Sequence, residues 1–224
     1  MVVEAEDYLM CMCDRENFVT CTDKGHLKVW SIDEEEEIAD SDEIYEDSEN
    51  TIISVVPFED MIITFAENCK TIKKWGIHGL SLLAELDLSK AIEKGITTSI
   101  NGNVLHLAND RNIYKIDLED FEIIEEYSDR NTVTCMNSYS EGAKNIYVTR
   151  QINVQARENK IQQLWSQYFD GEKIEAVVSE QNNVLFILGK PENNNDCYIT
   201  IYNLKNFFRY GKVTIKLPEK PQDF

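Results

Sequence analysis

Residues 20–30 read TCTDKGHLKVW, and the fold prediction starts from this phrase. It joins a short apolar run to a turn rich in Asp and Gly, and then to a second apolar run that ends in Trp30. Asp, Asn and Gly favour the backbone conformations that tight hairpin turns require. The phrase therefore predicts two antiparallel strands connected by a short turn.

Similar phrases recur along the chain at intervals of roughly 40 residues. A bulky residue, here called the anchor, stands near the end of each phrase: Trp30, Trp75, Ile116, Trp165 and Tyr202. A further apolar run precedes each hairpin and a more polar run follows it, so each unit has three or four predicted strands. Blades of a propeller have this length and strand number, and they bury their faces by stacking on one another. The sequence predicts an all-β fold, a β-propeller with about five visible four-stranded blades.

Units of this length occupy the whole chain. We therefore expect residues 1–224 to form a single β-propeller domain. The spacing leaves open whether the propeller closes with five blades or is part of a larger one.

The composition limits the classes of function. With 22 Lys and Arg against 41 Asp and Glu, the formal net charge is −19, and phosphates would repel such a chain. Neither a long apolar stretch nor a basic leader is visible, so we expect no membrane contact. The 6 Cys lack C-x-x-C spacing, which indicates buried thiols in a reducing compartment. An intracellular location, cytoplasmic or nuclear, follows as an expectation.

Residues 33–49 hold eleven acidic residues and no Lys or Arg. Such a run resists packing, so the sequence predicts a solvated loop inserted after the first unit. The segment is either a contact that attracts a basic partner or merely a solubilising insertion. Ser41 and Ser48 each precede an acid and are candidates for phosphorylation. The candidate contact residues are Glu34, Glu35, Glu36, Glu37, Asp40, Asp42 and Glu43.

A second candidate contact lies near the C-terminal end of the sequence, where aromatic residues adjoin a cation. Aromatic and Arg side chains are enriched in binding hot spots. The alternative is that the cluster packs under the last blade. Its members are Phe207, Phe208, Arg209 and Tyr210.

Motifs of catalysis and metal binding are missing from the sequence. His26, His78 and His106 are not spaced as metal ligands, and neither a nucleophile elbow nor a phosphate-binding glycine loop is present. We therefore predict no catalytic residue, no metal site and no cofactor. Acidic residues that meet in a propeller channel would support a different class, a hydrolase or lyase.

The phrase of residues 20–30 resembles the third-strand signature of the WD-repeat β-propellers, in which an Asp-containing turn leads to a strand that ends near Trp. The resemblance implies a divergent member, of the kind found in multi-subunit assemblies. The family's Gly-His dipeptide and its final Asp are missing from their usual places. Its Asp–His–Ser/Thr–Trp hydrogen-bond network is therefore not expected here.

A looser resemblance rests on Asn68-Cys69, on Lys74-Trp75 and on residues 183–188. These short phrases are similar to the N-terminal propeller of the Rough deal family of kinetochore proteins. The resemblance transfers no functional residue.

These observations predict a non-catalytic scaffold that mediates protein–protein interactions within a multi-subunit complex. The expected partners are other proteins with a basic surface, without direct nucleic-acid contact. The alternatives are the propeller enzyme, and a subunit of a kinetochore/checkpoint or RNA-processing complex. Neutralising residues 34–37 should slow association and weaken its salt dependence without unfolding the domain.

Overall fold

The computed structural model describes residues 8–12, 16–22, 25–41, 45, 51–93, 95–128, 133–139, 144–149, 154–158, 162–165, 172–179, 184–190, 197–203 and 209–215. Within these ranges the regular secondary structure consists of twenty β-strands in five four-stranded sheets. The described residues contain no helix that could cross a membrane. The prediction of an all-β fold built from about five four-stranded units is confirmed.

The first of two compact units, Met1–Lys94, contains two antiparallel sheets. In both sheets the strands are hydrogen-bonded in chain order. The first strand of each sheet is here called its inner strand and the fourth its outer strand. The two inner strands of this unit contact each other. The first sheet comprises β1 (Tyr8–Met12), β2 (Asn17–Thr22), β3 (Leu27–Ser31) and β4 (Glu37–Ser41). The second comprises β5 (Ile52–Phe58), β6 (Met61–Ala66), β7 (Thr71–Gly76) and β8 (Leu82–Asp87).

The second unit, Gly95–Phe224, contains three sheets of the same kind. The inner strand of the middle sheet in chain order contacts the inner strands of the other two. The third sheet comprises β9 (Thr97–Asn101), β10 (Val104–Asn109), β11 (Asn112–Asp117) and β12 (Glu122–Ser128). The fourth comprises β13 (Val133–Tyr139), β14 (Lys144–Thr149), β15 (Val154–Glu158) and β16 (Gln162–Trp165). The fifth comprises β17 (Glu172–Ser179), β18 (Val184–Lys190), β19 (Cys197–Asn203) and β20 (Arg209–Ile215). That residues 1–224 form one propeller domain stays a prediction.

Neighbouring sheets bury apolar rows against each other within each unit. In the first unit, Val19 and Val29 belong to one buried cluster with Ile62 of the second sheet. In the second unit, Ala108 and Ile113 of the third sheet belong to a cluster with residues of β13. β6 and β10, the second strands of the second and third sheets, are buried along almost their whole length, which explains why they read as nearly continuous apolar runs.

The turn between the third and fourth strands contains a residue with positive φ at the same position in each of the first three sheets. Five positions after the anchor, Glu35, Leu80 and Phe121 have φ of 54°, 48° and 55°. Residues other than Gly seldom adopt this left-handed conformation. Leu80 and Phe121 are buried, which offsets the strain, whereas Glu35 is exposed.

A β-bulge then follows in the outer strand of each of these sheets. Ile38, Leu83 and Ile124 are the extra residues, each placed opposite the step that leads to the anchor of the third strand. Bulges bend and twist a strand locally. The repeat is therefore one of backbone geometry as well as of sequence.

The repeat pattern predicts Trp165 on the third strand of its sheet, at the position of the other anchors, and this prediction is wrong. Trp165 lies in β16, the fourth strand of its sheet, whereas β15 is the third strand. The third strand already begins at Val154, so the apolar run around Trp165 pairs as the outer strand. Trp30, Trp75, Ile116 and Tyr202 do lie on third strands, as predicted.

The prediction of a solvated loop over residues 33–49 is wrong for residues 37–41. Residues 37–41 form β4, which pairs with β3 as the outer strand of the first sheet. An outer strand has one edge in water, so it tolerates charged residues that an inner strand would exclude. Residues 37–41 of the acidic run are thus the final strand of the first sheet and not an insertion after it.

Candidate functional site

The acidic hairpin, residues 32–41, consists of the turn after β3 and the strand β4. The Ser31 hydroxyl accepts a hydrogen bond of 3.1 Å from the main-chain N–H of Glu34. The Ser31 N–H donates to the carbonyl oxygen of Glu36 over 2.9 Å. Glu34, Glu35 and Glu36 are all exposed. Three carboxylates therefore project into water from a short, hydrogen-bonded turn.

Two further acids of the hairpin are paired with a lysine. Lys28 Nζ lies 2.7 Å from Glu37 Oε2 and 3.7 Å from Asp40 Oδ2. The hydrogen bond to Glu37 raises the pKa of Lys28 above its ordinary value. Because all three side chains reach water, such pairs contribute less than about 1 kcal/mol to stability. The hairpin thus has an exposed acidic tip, and a strand whose Glu37 and Asp40 are paired with Lys28.

The other predicted contact residues fall in three places. Asp42, Glu43, Ser48, Phe207 and Phe208 lie outside the described residues. Ser41 is half-buried at the end of β4. Arg209, which is exposed, and Tyr210 begin β20 in the second unit.

Sequence reasoning missed a buried tyrosine within the acidic run. Tyr45 is only 6% exposed, and its hydroxyl lies 3.0 Å from the carbonyl oxygen of Thr64 and 3.1 Å from Thr64 Oγ1. The indole N–H of Trp75 donates to the same Oγ1 over 3.1 Å. Tyr45, Thr64 and Trp75 therefore form one buried hydrogen-bond chain. A lone aromatic among eleven acids was the available signal.

Of the Asp–His–Ser/Thr–Trp network of WD-repeat propellers, which was not expected here, the described residues show one part. Its Thr–Trp half is present in the first two sheets, since Trp30 Nε1 also donates to Thr20 Oγ1 over 2.9 Å. In the second sheet, Tyr45 also contacts the threonine of this pair. The short sequence phrases did not reveal the contact between Tyr45 and Thr64, because the two residues are remote in sequence.

The surroundings of Tyr45 keep its phenol neutral. Burial raises the pKa of Tyr45 well above its ordinary value. Lys73 Nζ lies 5.0 Å from the centre of the Tyr45 ring and 6.0 Å from that of Trp75, and it pairs with Glu85 at 2.9 Å. A cation at such a distance from an aromatic face is attracted to the ring. Tyr45 therefore fixes the chain beyond the acidic hairpin to the second sheet.

A second buried polar group lies in the third sheet. His106 is opposite Lys115 in the strand register, and Lys115 is opposite Glu125, to which it is ion-paired. Burial, and secondarily the charge of Lys115, lowers the pKa of His106 to about 4. Among the described residues, no three His, Cys, Asp or Glu come together as a metal site would require. The lysine neutralises the nearest carboxylate, so this row is arranged as a structural ion pair.

The observed sheets define the class of fold. Four-stranded antiparallel sheets in chain order, with neighbouring inner strands and exposed outer strands, are the blades of a β-propeller. The first two sheets also share the Thr–Trp pair named above.

Comparison with solved structures identifies the fold as WD40-like. The WD40 domain of Neurospora crassa Pan2 superposes with a TM-score of 0.69 at 12% identity, covering 91% of this chain and 64% of that one. A chain from the crystal structure of a mitotic checkpoint complex gives 0.72 at 14% identity, covering 88% and 60%. The computationally designed Ika8 protein gives 0.71 at 14% identity, covering 91% and 60%.

These likenesses establish a WD-repeat β-propeller-like fold. The chain spans between 60% and 64% of the length of the matched chains. No protein-family model matches the sequence, and a search of curated proteins also finds no match. The resemblance to the Rough deal family is not specifically supported and stays a prediction.

Proposed function

We propose that the chain is a non-catalytic propeller scaffold that binds other proteins within a multi-subunit complex. The observation that carries this proposal is the acidic hairpin, which presents Glu34, Glu35 and Glu36 to solvent on an ordered turn. Rigid strands on either side fix the positions of these carboxylates. A partner with a basic surface would be attracted at long range and oriented by the same charges.

The tip of the hairpin, Glu34 to Glu36, and its strand, which contains Glu37 and Asp40, have different roles in this contact. Glu37 and Asp40 are paired with Lys28, whereas Glu34, Glu35 and Glu36 are exposed on the turn, so we assign the contact to the tip. Removing Glu37 would also break a contact between β3 and β4. The sharpest variant therefore changes Glu34, Glu35 and Glu36 and leaves Glu37 in place.

The test compares three forms of the full chain as baits in affinity purification followed by quantitative mass spectrometry. They are the wild type, the tip variant E34Q/E35Q/E36Q, and a control variant E59Q/D60N/E93Q. The control changes three exposed acids elsewhere in the first unit by the same total charge. We expect the wild type and the control to recover the same basic partner and the tip variant to lose it. Equal recovery by all three forms would contradict the contact.

A narrower version of the proposal is a subunit of a kinetochore or checkpoint complex. Its support is that one of the similar chains belongs to a mitotic checkpoint complex. At 14% identity that likeness concerns the fold, so the assembly must be tested directly. A fluorescently tagged chain should concentrate at kinetochores in mitotic cells, and a uniform distribution throughout mitosis would contradict this version.

The proposed location is intracellular. Cys21, Cys69 and Cys197 are free thiols, as is usual in reducing compartments. Fractionation into cytoplasm, nucleus and secreted medium tests this, and recovery from the medium would contradict it.

A further inference from the structure

The outer strand of the third sheet has a regular pattern of exposed residues. Along β12, Glu122, Ile124, Glu126 and Ser128 are exposed, whereas the residues between them are half-buried. Ile124 is 56% exposed, the highest value among the large apolar side chains that the structure describes. We call Glu122, Ile124 and Glu126 the β12 edge.

The backbone of β12 has a partner on one side only within the described residues. β11 pairs with it, and β12 is the last strand of its sheet. An exposed edge strand presents hydrogen-bonding groups to which another extended chain can add. The β12 edge thus combines an open strand edge, an apolar side chain and flanking carboxylates.

The first two sheets differ from the third at one register position. Lys28 is opposite Asp40 and Lys73 is opposite Glu85, and each lysine is ion-paired with that acid. In the third sheet the corresponding residue is Tyr114, which is buried and lies opposite Glu126. At this register position β11 therefore has a tyrosine where β3 and β7 have a lysine that is ion-paired with the outer strand.

The turn before β12 adds more negative charge. Asp117 Oδ1 accepts hydrogen bonds of 2.8 Å and 3.0 Å from the main-chain N–H groups of Glu119 and Asp120. Both of these acids are exposed. Lys115 lies opposite the half-buried Glu125 in the strand register and is ion-paired with it. Within residues 117–128, the charged residues that are exposed are all acidic: Glu119, Asp120, Glu122 and Glu126.

This pattern selects one kind of occupant. A second copy of the same edge would place carboxylate against carboxylate, which is unfavourable in a chain of net charge −19. An extended basic segment would place Lys or Arg beside Glu122 and Glu126, and an apolar residue beside Ile124. Opposite charges and apolar pairs across neighbouring strands stabilise a sheet.

We propose that the β12 edge binds an extended basic segment of a partner protein by strand addition to the third sheet. On the face that meets Glu122, Ile124 and Glu126, every second residue of the segment is in turn basic, apolar and basic, which matches the exposed face of β12. This proposal rests on the scaffold function proposed above and specifies its partner, but it uses a surface separate from the acidic hairpin.

The test measures binding of two labelled nine-residue peptides to the full chain by fluorescence anisotropy at physiological salt. In the first peptide lysine and valine alternate at the odd-numbered positions, and threonine occupies the even-numbered ones, so that one face alternates lysine with valine. The second has the same composition, with its lysines grouped in one block. Strand addition requires the alternating order, whereas simple charge attraction does not. We expect the alternating peptide to bind about tenfold more tightly, as two or three favourable cross-strand pairs would produce.

The variants are I124K, E122Q/E126Q and the matched control L83K. Leu83 is the bulge residue of β8 and is 51% exposed, but Lys73 lies within that sheet. I124K and E122Q/E126Q should each weaken binding of the alternating peptide about tenfold, and L83K less than twofold. Thermal unfolding checks that the variants remain folded, and E122Q/E126Q tests the edge independently of the bulge.

Four results would overturn the proposal: no binding by the wild type, equal binding of both peptides, an equal loss in I124K and L83K, or a dimer in sedimentation that I124K abolishes. The tip variant E34Q/E35Q/E36Q separates this proposal from the previous one. It should bind the alternating peptide as the wild type does, even if the hairpin proves to have no partner. Loss of peptide binding in the tip variant would assign the binding to the hairpin instead of β12.

Discussion

In the second sheet, Trp75, Thr64 and Tyr45 form a buried chain of hydrogen bonds. In the third sheet, the positions of Trp75 and Thr64 are taken by Ile116 and Leu107, which are apolar and fully buried. The left-handed turn and the outer-strand bulge are nevertheless the same in both sheets. The comparison shows that the backbone of a blade persists when its polar signature is replaced by apolar packing.

The largest expected effect is the loss of the anchor in the second sheet. Trp75→Ala should destabilise the first unit by about 3–5 kcal/mol, since it leaves a cavity and removes the donor to Thr64. Urea unfolding measures this change. Trp30→Ala is the control, because Trp30 makes the same bond but is only half-buried. An equal loss in the two variants would show that burial does not distinguish these sheets.

The third sheet should respond to acid through His106. Its pKa in the folded protein, about 4, lies below the ordinary value of 6.5, so the unfolded chain binds the proton more readily. Stability contributed by neutral His106 is present above pH 6.5 and falls as the pH decreases towards 4, by on the order of 2–3 kcal/mol. Lys115 and Glu125 are the neighbouring charges.

Unfolding of wild type and His106→Leu as a function of pH measures this contribution. The variant should lose less stability than the wild type between pH 7 and pH 4, the interval in which His106 binds a proton in the unfolded chain but stays largely neutral in the folded protein. His78→Gln, at an exposed site, serves as the control and should follow the wild type. Parallel curves for His106→Leu and wild type would contradict a buried neutral His106.

The hydroxyl that joins Tyr45 to Trp75 should have a smaller effect. Thr64→Val keeps the shape of the side chain but leaves the buried indole N–H of Trp75 without its acceptor, at a cost of about 1–3 kcal/mol. Thr20→Val is the matched change in the first sheet, where Trp30 is half-buried and reaches water more easily. Thermal unfolding should rank Thr64→Val as the more damaging change, and the reverse order would contradict this account.

The smallest expected effect concerns the attachment of the acidic run. Tyr45→Phe removes the hydroxyl bonded to Thr64 and should cost about 1 kcal/mol. Because the ring remains, we expect local loosening without global unfolding. Limited digestion with a protease that cuts after Glu should cleave residues 33–49 faster in the variant. Unchanged cleavage would mean that the hydroxyl does not fix this segment.

Much of the fold could be predicted from the sequence because inner strands are continuous apolar runs separated by Asn, Asp and Gly turns. Trp165 was misplaced because an apolar run alone does not distinguish the third strand of a blade from the fourth. The strand β4 was missed because charge density was weighed above the pairing of residues 37–41 with β3. Tyr45 was missed because its partner Thr64 is 19 residues away, and local spacing does not reveal such contacts.

The candidate site was predicted less completely than the fold. Glu34, Glu35 and Glu36 are exposed, as their sequence suggested, but the pairing of Glu37 and Asp40 with Lys28 depends on strand register. The replacement of Lys73 by Tyr114 at the corresponding position likewise becomes visible only once the sheets are aligned. Register determines which charges are neutralised, and composition alone does not.

The scaffold function is tested most directly by the association rate between the chain and the recovered basic partner, measured over a series of salt concentrations. The wild type and E59Q/D60N/E93Q should associate rapidly at low salt and slow steeply as salt screens the charges. E34Q/E35Q/E36Q should associate more slowly and depend less on salt. Identical rates and identical salt dependence in all three forms would contradict a partner contact at the acidic hairpin.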